Sequence, residues 1–338
     1  MIPDSVAQGA RPSSLAQYAR PIECLLADEG VTELCLQKAG ELFIERGGTW
    51  EKLEAPWATV GWARHFARLV ATASEQRVTA EEPLLSAALP TGERVQIVLP
   101  PAAGPDGVVI SIRRPSTVTW SLADLVAQGA FRPPSAIRLS GDPVSVDLGA
   151  AYRDGRPEVF LAAAVRARCN ILVAGATGSG KTTLTKALIR EIPRDERLIS
   201  IEDAPELDLT THANAVRLFY SKADQGRARV APKQLLEASL RLRPDRILLA
   251  ELRGEEAYYY LRNVSSGHPG SITSIHAGTT QLAFEQLALL VRESEAGRDL
   301  PLAEIHRVAH AVIDVVVCCD RRAGHRHVRD LWWRDAPG

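Results

Sequence analysis

The sequence predicts an α/β protein: a P-loop domain built on a mostly parallel sheet, preceded by a smaller α+β domain. Three observations carry this. Residues 175–182, GATGSGKT, fit G-x-x-x-x-G-K-[ST] between an apolar run (ILVA, 171–174) and a helix-forming run (LTKALIR, 184–190). Downstream, short apolar runs alternate with amphipathic ones, as in a parallel sheet covered by helices. Upstream, several short β-type runs surround one helical run. The expected division is an α+β domain over residues 1–130, a linker over 131–150 and the P-loop domain over 151–338.

Composition bounds the rest. A chain of 338 residues accommodates two domains, and 46% apolar with 24% charged residues is ordinary for a globular protein. The net charge of −1 argues against a protein whose main task is coating nucleic acid, and direct nucleic-acid binding is not indicated. The first residues contain no apolar signal-like core, and no run is long enough to span a bilayer, so a cytoplasmic protein is expected. The cysteines, Cys24, Cys35, Cys169, Cys318 and Cys319, form no C-x-x-C, so neither a zinc ribbon nor a disulfide framework is indicated, and small core residues are expected.

In order, residues 1–20 read as a polar lead-in. Residues 31–37 and 42–46 are strand-like around a Lys38-Ala39-Gly40 turn, which predicts a hairpin. Trp62, Phe66, Leu69 and Val70 share one helical face within residues 57–72. Strands are expected at 84–89, 94–99 and 108–113, with a Pro- and Gly-rich loop before the last. The Pro- and Ser-rich stretch 131–149 is the expected linker. In the second domain, helices are expected at 158–167, 184–190, 233–242, 255–264 and 281–293. Strands are expected at 171–174, 197–201, 216–220, 246–251, 271–275, 312–318 and 327–332.

The glycine-rich loop implies a nucleoside triphosphate. Gly175, Gly178 and Gly180 let the backbone curl so that N–H groups, including those of Thr177, Ser179 and Thr183, point at phosphate oxygens. Lys181 supplies a point charge to the β- and γ-phosphates, and the Thr182 hydroxyl suits Mg²⁺. Ligands of open parallel sheets bind beyond the carboxyl ends of the strands, and three further strands end in suitable groups. One ends in Glu202-Asp203, where a carboxylate binds Mg²⁺ through water or polarises the attacking water. RILLAE ends in Glu251, the Walker B pattern, where the acid orients and deprotonates that water and neighbours the metal. The third ends in His276, able to hydrogen-bond the γ-phosphate. His268, in GHPG, is a weaker candidate.

GATGSGKTT, IEDAPEL, LRPDRILLAELRGEEA and SGHPGSITSIHAGT, in this order, resemble the Walker A, Asp box, Walker B and His box of the secretion ATPase superfamily. The stretches VTELCLQKAGELFIERGGTW and ERVQIVLPP with VVISIRRPS resemble its N-terminal domain, and the likeness is greatest to the hexameric traffic ATPases of type IV secretion and conjugative DNA transfer. The resemblance implies a RecA-like second domain, a homohexamer and use of ATP with Mg²⁺. It also implies a nucleotide between the two domains, peripheral association with the inner membrane, other secretion components as partners, and a protein or nucleoprotein substrate. Arg94 and Arg113 are implied as phosphate-contacting arginines from the N-terminal domain, with Arg114 an alternative to Arg113. Ala250 stands where much of the superfamily has Gly. The tetracysteine insertion of many type II members is absent, which disfavours that branch. The rivals are a pilus or Tad-type ATPase, a RecA-like nucleic-acid translocase and a small-molecule kinase.

Overall fold

The computed structural model describes residues 14–104, 107–114, 148–220, 229–322 and 325–336. It divides into two compact units. Residues 14–114 with 229–230 form the first, and residues 148–220 with 231–336 the second. The predicted linker, up to residue 147, lies outside the described residues.

The first unit is one antiparallel sheet with two helices on one face. Its elements are α1 (Ser14–Leu26), β1 (Val31–Lys38), β2 (Gly40–Arg46), β3 (Thr49–Ala55), α2 (Val60–Ala73), β4 (Leu84–Ala88), β5 (Arg94–Val98) and β6 (Val109–Arg113). The strand order is β3-β2-β1-β6-β5-β4. Leu15 and Ile22 of α1 and Phe66 and Val70 of α2 pack on Leu34, Ile44, Ile97 and Ile110 of the sheet, all buried. Two elements differ from expectation. The polar lead-in is helical from residue 14, because Leu15, Ala19, Ile22 and Leu26 recur at helical spacing despite Pro21 inside the helix. The hairpin gains a third strand, β3, whose charged residues suit an exposed edge.

The second unit contains α3 (Leu148–Arg153), α4 (Pro157–Arg166), β7 (Ile171–Gly175), α5 (Lys181–Arg190), β8 (Leu198–Glu202) and β9 (Ala215–Phe219). It continues with α6 (Pro232–Ser239), β10 (Arg246–Leu252), α7 (Glu256–Ser265), β11 (Ile272–Ile275), α8 (Thr280–Glu293), α9 (Leu302–Val312), β12 (Val315–Arg322) and β13 (His325–Trp333). The order is β13-β12-β7-β11-β10-β8-β9. Every pairing is parallel except β12 with β13. This is the mostly parallel, RecA-like sheet expected. The helix α9 was not anticipated: only Ile305 and Ala309 of it are buried, so its apolar face is thin.

Side chains lace the amino ends of the parallel strands together. Arg246, fully buried at the start of β10, holds Glu196 through two bonds of 2.7 and 2.9 Å and donates to the Val165 carbonyl at 2.8 Å. Arg197, also fully buried, donates to the Leu242 carbonyl. Asn170, just before β7, donates to the Val312 carbonyl and accepts from the Gly270 N–H. The opposite, carboxyl edge carries the motif residues.

Candidate active site

The phosphate loop follows β7 and ends where α5 begins. Its first glycine is a steric necessity: a Cβ on Gly175 would lie 2.3 Å from Ser179 Oγ and 2.7 Å from the Cys319 carbonyl oxygen of β12. Gly180, at φ +103°, caps α5, and its carbonyl accepts the first helical bond, from the Leu184 N–H at 2.9 Å. Thr182 and Thr183 are exposed at the start of that helix. Ser179 is buried, and its hydroxyl has no hydrogen-bond partner among the described residues. A buried, unpartnered hydroxyl in a side-chain-free cradle at a helix N-terminus fits a phosphate.

Lys181 lies inside this loop. Its Nζ donates to the carbonyls of Gly175 at 2.9 Å and Ala176 at 3.3 Å, and sits 3.3 Å from His276 Nδ1 and 3.8 Å from Glu251 Oε1. Burial pushes its pKa below the usual lysine value, with Glu251 opposing the shift. The strand order explains the meeting: β7, β11 and β10 are successive neighbours, so their carboxyl ends deliver Lys181, His276 and Glu251 to one place. His276 Nε2 is 2.9 Å from Glu251 Oε1. An imidazole that donates from Nε2 to the carboxylate and accepts from the ammonium at Nδ1 satisfies both contacts in one neutral tautomer.

Arg253 completes the cluster. Its guanidinium pairs with Glu251 Oε2 and with Asp203 Oδ2, the latter at 2.8 Å. A chain therefore runs Lys181 and His276 to Glu251, then Arg253, then Asp203. Sequence spacing offered Arg253 only as a pairing partner for the strand-end Glu251; its reach across to Asp203 at the end of β8 was not indicated. Its place two residues after Glu251 was the available signal. Glu256, in the first turn of α7, accepts from the N–H groups of Arg253 and Gly254 and holds the turn.

Glu202 departs from expectation. It is fully buried, and its carboxylate accepts from Ser200 Oγ, from Arg217 Nε and Nη2, and from the N–H groups of Glu206 and Leu207. Five donors fill a carboxylate that offers about four lone-pair sites. The expectation that Glu202 ligates Mg²⁺ or polarises water is corrected: it braces the turn after β8, and its neighbour Asp203 joins the cluster. His268 also lies apart from it, at the amino edge near Asn263, and burial lowers its pKa.

In the first unit, Arg94 and Arg113 face one another in register on β5 and β6, both exposed. Across β1, Arg113 is in register with Glu33. Arg114 is used differently, donating from Nη1 to the Asp28 carbonyl at 3.0 Å. The two candidates left open by the sequence are thus in different environments, with Arg113 beside Arg94.

A phosphate loop after an inner strand of a parallel sheet, with a glutamate and a histidine at the next two strand ends, defines a RecA-like P-loop NTPase. A family model described as type II/IV secretion system protein matches residues 16–323. The chain is 43% identical over 324 residues to the type IV secretion system protein VirB11 of Bartonella henselae, covering 93% of this chain and 91% of that one. It is 39% identical to PtlH of Bordetella pertussis over 331 residues, 96% of each chain. The crystal structure of the VirB11 ATPase from the Brucella suis type IV secretion system, in complex with sulphate, superposes with a TM-score of 0.87 at 42% identity. That match covers 95% of this chain and 94% of the crystallised one. The chain belongs to the type II/IV secretion system protein family, and it is an ATP-hydrolysing ATPase of the type IV secretion kind.

Proposed function

We propose that this chain is the homohexameric, Mg²⁺-dependent motor of a type IV secretion system, and that the Lys181–Glu251–His276 cluster is its hydrolytic centre. Lys181 exchanges its contacts with the Gly175 and Ala176 carbonyls for the β- and γ-phosphates. Glu251, oriented by His276 on one oxygen and Arg253 on the other, positions and deprotonates the attacking water. His276, already bonded to Glu251, transmits the presence of the γ-phosphate. Among the described residues no three His, Cys, Asp or Glu side chains form a metal cluster. The Thr182 hydroxyl, phosphate oxygens and water, with Glu251 reached through water, are ligands of the kind Mg²⁺ takes. When bound, the ion neutralises charge on the phosphate oxygens.

Arg94 and Arg113 offset phosphate charge in the same reaction. Two like charges directly opposite on adjoining strands weaken the pairing, and an anion relieves that cost. No helix among the described residues is long and apolar enough to cross a membrane; attachment is proposed through other secretion components at the inner membrane, and the work is done on a protein or nucleoprotein substrate.

The observation that carries this function is the direct meeting of Glu251, His276 and Lys181 at the phosphate loop. Its test is Glu251→Gln: ATP binding is retained while kcat falls by about 10²–10⁴. Lys181→Ala loses nucleotide affinity. Wild-type turnover in Glu251→Gln would remove Glu251 from the mechanism. Arg113→Ala slows hydrolysis at an unchanged melting temperature, and Arg114→Ala does not.

A further inference from the structure

We propose that Arg326, supported by Arg321, is a ligand of the non-transferred phosphates of the nucleotide, an assignment that rests on the ATPase function proposed above. Neither arginine belongs to the motifs that marked the site. They lie on the β12–β13 hairpin, and β13 is the antiparallel edge strand of the sheet.

The hairpin lays Arg326 over the phosphate loop. A Cβ built on Gly180 would meet Arg326 Cδ at 3.0 Å, Cγ at 3.6 Å and Cβ at 3.7 Å. The aliphatic stem therefore runs along the backbone of the glycine that precedes Lys181, in tight contact with the space a side chain there would take. Arg326 is exposed, and its guanidinium has no ion-pair partner among the described residues.

The surroundings ask for an anion. Arg326 is directly opposite Arg321 in the strand register, a like-charged pair that weakens the hairpin. Arg326 lies against Gly180 at the N-terminal end of α5, which carries the positive end of the helix dipole. The adjacent Asp320 carboxylate is engaged with the Arg321 N–H at 2.7 Å. Within the loop the buried Ser179 hydroxyl also lacks a partner among the described residues.

The strand order then assigns which phosphates. β7 lies between β11 and β12. Glu251 and His276, the groups that act on the γ-phosphate, come from the β11 side, and the two arginines come from the β12 side. A triphosphate whose γ-phosphate meets Lys181 and Glu251 directs its α- and β-phosphates toward the hairpin. A guanidinium holds two such oxygens at once and is indifferent to the base.

The test is calorimetric titration of the full chain with ADP and, separately, with CDP. Arg326→Ala is expected to weaken both by about tenfold or more, the worth of a charge-assisted hydrogen bond. Arg326→Lys is expected to retain part of the affinity, and Arg321→Ala to show a smaller loss. The nucleotide-free melting temperature of Arg326→Ala is expected to be no lower than that of the wild type, because a repulsive pair has been removed. An unchanged Kd overturns the proposal, as does a loss confined to ADP, which would mean base stacking. A weaker Kd accompanied by a lower nucleotide-free melting temperature also overturns it, because the role would then be structural. Lys181→Ala, run alongside, separates the cases: if it too binds ADP normally, the nucleotide site itself is misassigned.

Discussion

Gly175 shows how a single missing side chain can decide a site. Its absent Cβ leaves room for the Cys319 carbonyl and the Ser179 hydroxyl. Gly175→Ala is expected to cost about 1–3 kcal/mol through overpacking and to lose nucleotide affinity. Gly178, at φ +76° with nothing within 4 Å of an added Cβ, is expected to tolerate Ala better in affinity and melting temperature alike. His212 makes a second point at this scale. It is buried, with Nε2 bonded to the Ile192 carbonyl at 3.1 Å and Nδ1 beside the Thr211 hydroxyl, and burial lowers its pKa below 6.5. The unfolded chain therefore binds this proton more readily, so the contribution of His212 is fully present above pH 6.5 and falls as pH drops toward its folded pKa. Denaturant titrations at pH 7.5 and 5.5 should show a smaller acid-induced loss for His212→Gln than for the wild type.

Elements were legible where their apolar pattern was strong. β7 and β10 read directly as buried strands, and the alternation after residue 171 implied the parallel sheet. What escaped was weakly patterned or depended on tertiary reach. Proline inside α1 and the thin apolar face of α9 concealed those helices. At the end of β8, Glu202 and Asp203 are adjacent in sequence, yet successive strand residues point to opposite faces. Composition cannot tell which of two neighbouring acids turns toward the Walker B strand, and the structure gives that place to Asp203. Similarly, Arg326 reaches the loop only through the β12–β13 pairing, which no local motif encodes. The α8 helix is well marked: Thr279 caps it by accepting from the Leu282 N–H at 3.1 Å. Thr279→Ala should cost about 1 kcal/mol in denaturant unfolding, a drop that would be absent if the cap were ornamental.

At the scale of the molecule, the family assignment implies a ring, and mass measurement in solution with and without ATP tests it. A sixfold species is expected when nucleotide is present; a monomer at all concentrations with nucleotide would contradict the hexamer. Within the second unit, charge is distributed unevenly along the strands. The carboxyl edge gathers Lys181, Glu251, Arg253, Asp203 and the hairpin arginines, while the amino edge is bound by Arg246, Glu196, Arg197 and Asn170.

The buried Arg246–Glu196 pair has a kinetic consequence. Removing either partner would leave the other charge uncompensated, a penalty of about 3–5 kcal/mol for a buried pair. Openings at that end of the sheet must also break the bonds of Arg246, Arg197 and Asn170 to backbone carbonyls, whereas those beginning at the phosphate loop need not disturb them. Amide hydrogen exchange should record a gradient within single strands, with deuterium entering β7 and β10 first at their carboxyl termini and last beside Asn170 and Arg246. Nucleotide should then slow only the fast end, so that each strand serves as its own reference for what ligand binding does to the fold.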